Sequence, residues 1–177
     1  MKHALLFLVG LLFSSFCQGT IDERYLDPSL PIDKRVRILM RQMTLEEKVA
    51  QLCQYVGLQY GRKDKPIAFE STDPDTLIRS LLESNGIARN ISLGKVGACL
   101  HVYSVEEANI LQMIARKSRL KIPLLIAIDA IHGNCMHRGC TVYPTSIGMA
   151  SSFNPVLLKE IGRQTAVEMR SSGVHWT

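Results

Sequence analysis

The sequence predicts a parallel α/β fold, and three observations carry that prediction. Ile122 to Ile128 is an almost unbroken apolar run, the mark of a strand covered on both faces in a parallel sheet. Between Lys95 and Thr177, short apolar runs alternate with segments of helical spacing, giving a strand, helix, strand, helix, strand rhythm. The apolar run then stops on Asp129, with His132 just beyond it. The carboxyl ends of parallel strands are where such folds carry their binding and catalytic groups.

The elements follow in order. Ile32 to Met43 places Val36, Leu39, Met40 and Met43 at helical spacing behind Pro31, which suits a first helical turn. Thr44 and Glu47 form a capping box, so a second helix starts there and is expected to bury Leu45, Val49 and Leu52. Gly57 to Asp75 is polar, broken by Pro66 and Pro74, and reads as a long loop. Leu77, Ile78, Leu81 and Leu82 mark another helix, closed near Gly86. Lys95 to Val102 is expected to be the first parallel strand. Ser104 with Glu107 makes a second capping box, opening a helix that carries Ala108, Leu111, Ile114 and Ala115. The Ile122 segment is the second strand, followed by a loop from His132 to Ser152 rich in histidine, cysteine and glycine. Asn154 caps and Pro155 opens a helix whose apolar face holds Leu158, Ile161, Thr165 and Met169 and which Gly173 ends; Val174 to Thr177 begins a third strand.

The opening residues, 1–19, read as a secretory signal peptide: Lys2 and His3, an apolar stretch from Ala4 to Phe13, and Cys17 and Gly19 at the positions a signal peptidase inspects. A lipidated Cys17 is disfavoured by the bulky Phe16 before it. The apolar stretch is short for a bilayer span, and the expectation is a soluble, exported protein, secreted or periplasmic. A net charge of +5 raises the question of nucleic acid, but the basic residues do not gather into one patch. Arg116, Lys117, Arg119 and Lys121 fall at the end of a predicted helix, where cations face the negative end of the dipole. The partner expected is therefore not a nucleic acid.

The motifs Ile122-Pro123-Leu124-Leu125-Ile126-Ala127-Ile128-Asp129-Ala130-Ile131-His132-Gly133, Tyr143-Pro144-Thr145-Ser146-Ile147-Gly148-Met149-Ala150 and Gly173-Val174-His175-Trp176-Thr177, with Met43 to Leu52 upstream, resemble the family 3 glycoside hydrolases. The resemblance implies a (β/α) TIM-like barrel. At 177 residues, against roughly 250 for a full barrel, the chain is expected to hold only its first strands and helices, preceded by further helices. The division read from this is a leader at 1–19, leading helices and a loop at 20–93, and the first part of the barrel at 94–177.

It also implies a retaining β-glucosidase, or less readily a xylosidase, working with two carboxyl groups roughly 5 Å apart. Read from the residues alone, Asp129 is a nucleophile, an acceptor for sugar hydroxyls or a structural carboxylate. The resemblance favours the sugar-binding role and places both nucleophile and acid/base further along a full-length chain. No catalytic residue is therefore assigned here, and the chain is expected to be inactive alone. His132 is read as a substrate-side residue that orients the loop by hydrogen bonding. The competing class is a secreted, non-enzymatic carbohydrate-binding or interaction protein.

His132, Cys135, His137 and Cys140 carry donor atoms that zinc selects. A small-loop disulfide between Cys135 and Cys140 competes with that in an oxidising compartment and is preferred, since the family depends on no metal and no cofactor is expected. Asn90-Ile91-Ser92 is a sequon, making Asn90 a candidate for N-glycosylation. His175 and Trp176 are expected in or near the core.

Overall fold

The computed structural model describes residues 20–62, 65–70 and 72–177. The signal-peptide reading of residues 1–19 lies outside them. The chain divides into two compact units, the first ending at Gln42 and the second running from Met43 to Thr177.

The described part of the first unit is a 3₁₀ turn, Glu23–Leu26, followed by helix α1, Ile32–Gln42. The two are clasped through one side chain: the Asp22 N–H donates to Gln42 Oε1 at 2.6 Å, and Gln42 Nε2 donates back to the Asp22 carbonyl at 3.0 Å. Tyr25 is buried, while Val36 and Met40 on the expected apolar stripe are exposed.

The second unit is a parallel α/β arrangement. Helix α2, Leu45–Ala50, opens with the complete capping box predicted from Thr44 and Glu47. It does not bury Leu45, Val49 and Leu52, which are all exposed. The helix ends after six residues, before a 3.6-residue stripe can extend to Leu52, and its buried side is Ala50. The chain then enters strand β1, Gln54–Val56, which the sequence reading missed. The first parallel strand is therefore β1, and the strand expected at Lys95 is the second, β2, Ala98–Leu100. Strand β3, Leu125–Ala127, completes a sheet of order β1-β2-β3 with both pairings parallel. Past β3, the tail from Val174 pairs in the same sense through a parallel bridge between Ala127 and Trp176.

Helices α3, Pro74–Ser84, and α4, Gly86–Ser92, stand between β1 and β2, where one helix was expected. Asn85 divides them: its N–H closes α3 on the Leu81 carbonyl and its side chain caps α4. Helix α5, Val105–Ala115, connects β2 to β3. Leu77, Ile78, Leu81, Ala88, Ile91, Leu111 and Ile114 from these helices form one core with Cys99, Ile126 and Ile128 from the strand segments. Each fully buried Leu or Ile contributes about 1.5–3 kcal/mol of hydrophobic stabilisation. On one face of the β3 run Leu124, Ile126 and Ile128 are buried; on the other Ala127 is buried as well, while Leu125 at the start of the strand is 56% exposed.

The loop after β3 contains a short helix that was not predicted, α6, Ser146–Ala150. Helix α7, Pro155–Ser171, begins at Asn154 and Pro155 as expected, and Gly173, at φ +76°, turns the chain back towards the sheet. Among the described residues no helix is long and apolar enough to cross a membrane.

Candidate functional site

Because the strands are parallel, their carboxyl ends lie together, and the residues that follow them meet there. Gly57 to Tyr60 follow β1, His101 to Tyr103 follow β2, Asp129 to His132 follow β3, and Thr177 ends the paired tail. The first carbonyl past β2 sets the spacing. A Cβ on Gly57 would lie 2.6 Å from the His101 oxygen and 2.8 Å from Glu107 Oε1, so only glycine permits this approach. His101 itself takes φ +59°, a left-handed backbone that few side chains adopt, while its N–H donates to the Ala127 carbonyl at 3.0 Å. The strained turn keeps β2 and β3 in register and projects the His101 ring beside Asp129.

Asp129 stands where the sequence placed it, just past β3, with its side chain half exposed. One of its oxygens, Oδ2, lies 3.7 Å from His101 Nε2, too far for a hydrogen bond, which leaves the carboxylate with acceptor capacity. The backbone around it is fixed: the Ala130 N–H donates to Thr177 Oγ1 at 2.8 Å, and the Ile126 N–H donates to His175 Nδ1 at 2.9 Å. His175 is thus a sheet-edge acceptor, and Trp176, expected in or near the core, is 45% exposed.

His132 faces the loop rather than Asp129. Its Nδ1 lies 2.9 Å from the Tyr143 carbonyl and must carry the proton to donate, and the Tyr143 N–H donates back to the His132 carbonyl at 2.8 Å. His137 is buried, its Nε2 2.9 Å from the Val102 carbonyl, and burial pushes its imidazole below the ordinary value. That contact ties the loop after β3 to the loop after β2.

The two cysteines expected to pair are free thiols in this structure. Cys140 is engaged elsewhere: Asn134 Nδ2 donates to its Sγ at 3.4 Å and to Ser172 Oγ at 3.2 Å. The same loop is anchored to α7 by Thr141, whose N–H and hydroxyl both donate to the Glu168 carboxylate. Of the four candidate zinc donors, His137 is turned onto Val102, and among the described residues no three His, Cys, Asp or Glu side chains gather as ligands. Asn90 lies half-buried within α4, not in a loop.

Two features escaped the sequence reading. Glu107 was expected to cap its own helix. Ser104 does accept from the Glu107 N–H at 3.1 Å, but the Glu107 carboxylate turns inward instead. Fully buried, it accepts from the N–H of Gln59 at 2.9 Å and of Tyr103 at 3.0 Å, and from that of Leu58. Burial pushes its carboxyl above the usual range, and these three donors oppose the shift. The second feature is an aromatic cluster: Tyr60 stacks on His101 with centroids 5.1 Å apart and planes within 11°, and Tyr103 lies 6.5 Å from Tyr60 and 6.2 Å from His101. A capping-box spelling hides the first, and rings contributed by two separate loops hide the second.

A cavity of about 770 Å³ opens next to these strand-end residues, between α7 and the segments Ala130 to Gly133 and Gly173 to Thr177. Leu158, Ile161 and Thr165 line it and Asp129 does not. It is a mostly apolar space that meets the strand ends at His132, His175 and Thr177, and the Asp129 side of those ends, where a half-exposed carboxylate is available, is the better candidate.

The model of the glycosyl hydrolase family 3 N-terminal domain matches residues 44–177. A periplasmic beta-glucosidase of Salmonella typhimurium is 31% identical over 146 residues, covering 82% of this chain and 16% of the relative. Beta-glucosidase C of Emericella nidulans is 28% identical over 157 residues, 85% of this chain and 24% of the relative. A beta-xylosidase of Formosa agariphila is 27% identical over 176 residues, 96% of this chain and 16% of the relative. The chain spans at most about a quarter of the length of these relatives.

Proposed function

The chain belongs to glycosyl hydrolase family 3, and from that premise we propose that it forms the first strands and helices of a (β/α) barrel in an exported hydrolase of terminal β-linked glucosyl residues. Asp129 accepts hydrogen bonds from hydroxyls of the sugar whose bond is cut. His132 acts behind it, holding the loop that follows β3. The nucleophile and the acid/base of the retaining mechanism are supplied by other parts of the full-length protein, so this segment binds sugar and does not turn it over alone. The reading of export rests on the leader-like sequence of residues 1–19 and on the periplasmic description of the Salmonella relative. The β-xylosidase relative keeps xylosides as the second substrate class.

The observation that carries this reading is the half-exposed Asp129 carboxylate at a strand end, on a backbone pinned from both sides yet with acceptor sites open. A carboxylate accepts charge-assisted hydrogen bonds from hydroxyls, and bonds that strengthen as the sugar distorts lower the barrier by several kcal/mol. An amide of the same shape replaces one acceptor with a donor. In the native full-length protein, Asp129→Asn is expected to lower kcat/KM on a β-glucoside by about 30- to 1,000-fold, equivalent to about 2–4 kcal/mol of transition-state stabilisation. Its melting temperature should be unchanged. Near-normal kinetics, or loss of activity only through unfolding, would make Asp129 structural.

A further inference from the structure

We propose that Tyr60, His101 and Tyr103 form an aromatic wall of the sugar site, packing against the apolar face of the same pyranose ring whose hydroxyls Asp129 accepts. The inference rests on the reading of Asp129 as a sugar-binding carboxylate and assigns a second contact surface to that site. Three observations carry it.

The first is proximity. The three ring centroids lie within 6.5 Å of one another, and the His101 ring nitrogen Nε2 is 3.7 Å from Asp129 Oδ2. A pyranose is roughly as wide as an aromatic side chain, so a sugar held at Asp129 lies within reach of this cluster.

The second is the match of chemistry. The rings are nearly parallel and stack into one aromatic surface, and the edge of the His101 ring carries Nε2 to 3.7 Å from the Asp129 carboxylate. Burial raises the Tyr103 phenol, and the neighbouring Tyr60, Glu107 and Asp129 raise it further, which places its hydroxyl in the field of the same carboxylate. Apolar walls with a few convergent polar groups make a small-molecule site. A pyranose with equatorial hydroxyls has this split character, carbon–hydrogen bonds on its faces and hydroxyls on its rim. A flat hydrocarbon matches the rings but leaves the carboxylate without donors, and an inorganic anion matches neither.

The third is rigidity. Tyr60 and Tyr103 come from different loops, yet Glu107 fixes both by accepting from the N–H groups of Leu58, Gln59 and Tyr103. His137 adds a bond from its ring to the Val102 carbonyl, between His101 and Tyr103. A carboxylate buried in this manner is a costly way to hold loops that do nothing, and a wall held before the ligand arrives loses little freedom on binding. Glu107 is thereby a positioning residue for the wall.

The test is titration calorimetry of the native full-length protein with D-glucose, comparing wild type with Tyr60→Ala, Tyr60→Phe and Asp129→Asn. Tyr60 is 47% exposed, so its truncation should leave the melting temperature close to wild type. Tyr60→Ala is expected to weaken glucose binding about tenfold, and Tyr60→Phe, which keeps the ring, to restore it. Asp129→Asn should weaken binding as well. If Asp129→Asn weakens binding and Tyr60→Ala does not, the wall is wrong and the reading of Asp129 stands. If Tyr60→Phe binds as poorly as Tyr60→Ala, the contact is made by the hydroxyl, which also overturns the wall. If neither Asp129→Asn nor Tyr60→Ala alters binding, the site itself lies elsewhere and both fall together.

Discussion

The carboxyl ends of β1, β2 and β3 and the surface around α7 lie in the same unit of the chain and differ in how they treat polar groups. At the strand ends, buried or strained polar residues are tied by specific bonds: Glu107 to backbone N–H groups, His137 to Val102, and His101 at positive φ to Ala127. Around α7 several large apolar residues are exposed, Ile147 at 82%, Phe153 at 93% and Val156 at 77%, and the helix lines a mostly apolar cavity of about 770 Å³. Apolar space therefore points to one region and fixed polar chemistry to the other. Apolar surface alone carries no directional information, whereas polar atoms fixed in a low-dielectric setting persist only where the surrounding structure holds them in place. A site that must orient a polyhydroxylated ligand belongs with the second kind.

The largest effect that separates the regions comes from removing Glu107. Glu107→Ala leaves three N–H groups without their acceptor, each a loss of about 1–3 kcal/mol when water cannot replace it. We expect destabilisation of at least about 3 kcal/mol, read as a fall in the denaturant midpoint at constant slope. Val156→Ala on α7, where the side chain is exposed, should stay within about 0.5 kcal/mol. Equal losses at the two positions would erase the contrast between them.

A smaller effect concerns pH. Burial lowers the His137 imidazole, so the native state holds it neutral while the unfolded chain protonates it more readily. Its contribution is therefore fully present above the ordinary imidazole value near 6.5, and it is lost as the pH falls below that value towards the lowered native one. His137→Gln keeps an N–H donor at the position of Nε2 but does not titrate. The difference in melting temperature between wild type and this variant should move in favour of the variant as the pH drops from 7.5 to 5. A pH-independent difference would mean that the imidazole titrates as it does in the unfolded chain.

Much of this was legible in the sequence, for reasons that differ by element. The caps at Thr44, Ser104 and Asn154 were readable because capping is a local interaction within four residues. Asp129 was readable because a long apolar run ends on it. Strand β1 was not, since Gln54, Tyr55 and Val56 show no alternation that a three-residue window can resolve, and the strand exists through its pairing with Ala98 to Leu100. The split of α3 from α4 turns on Asn85 serving two helices at once. Glu107 was misassigned because a capping box and an inward-turned carboxylate have the same spelling, and only the approach of Gly57 to His101 and Glu107 distinguishes them. The aromatic cluster joins residues 60, 101 and 103, and no local pattern links a loop after one strand to a loop after the next.

The smallest perturbation tests the cysteines, whose environments follow the same contrast. Cys99 is fully buried within the core, and burial, with the charge of Glu107 adding to it, pushes its thiol up to about 12. Cys135 and Cys140 are half-buried on the loop after β3, and in this structure they are separate thiols. Thiolate is the reactive form, and both access and ionisation limit it. Brief labelling of the native, non-reduced protein with iodoacetamide at pH 8, followed by mass mapping, is therefore expected to modify Cys135 and Cys140 and to spare Cys99. Denaturation should expose Cys99 as well. If Cys135 and Cys140 stay unlabelled until a reductant is added, they are joined, and the bonds from Asn134 to Cys140 and Ser172 give way to a covalent closure of the loop. If Cys99 reacts as fast as the other two, the core beneath the strand ends opens readily, and the rigidity attributed to Glu107 is absent.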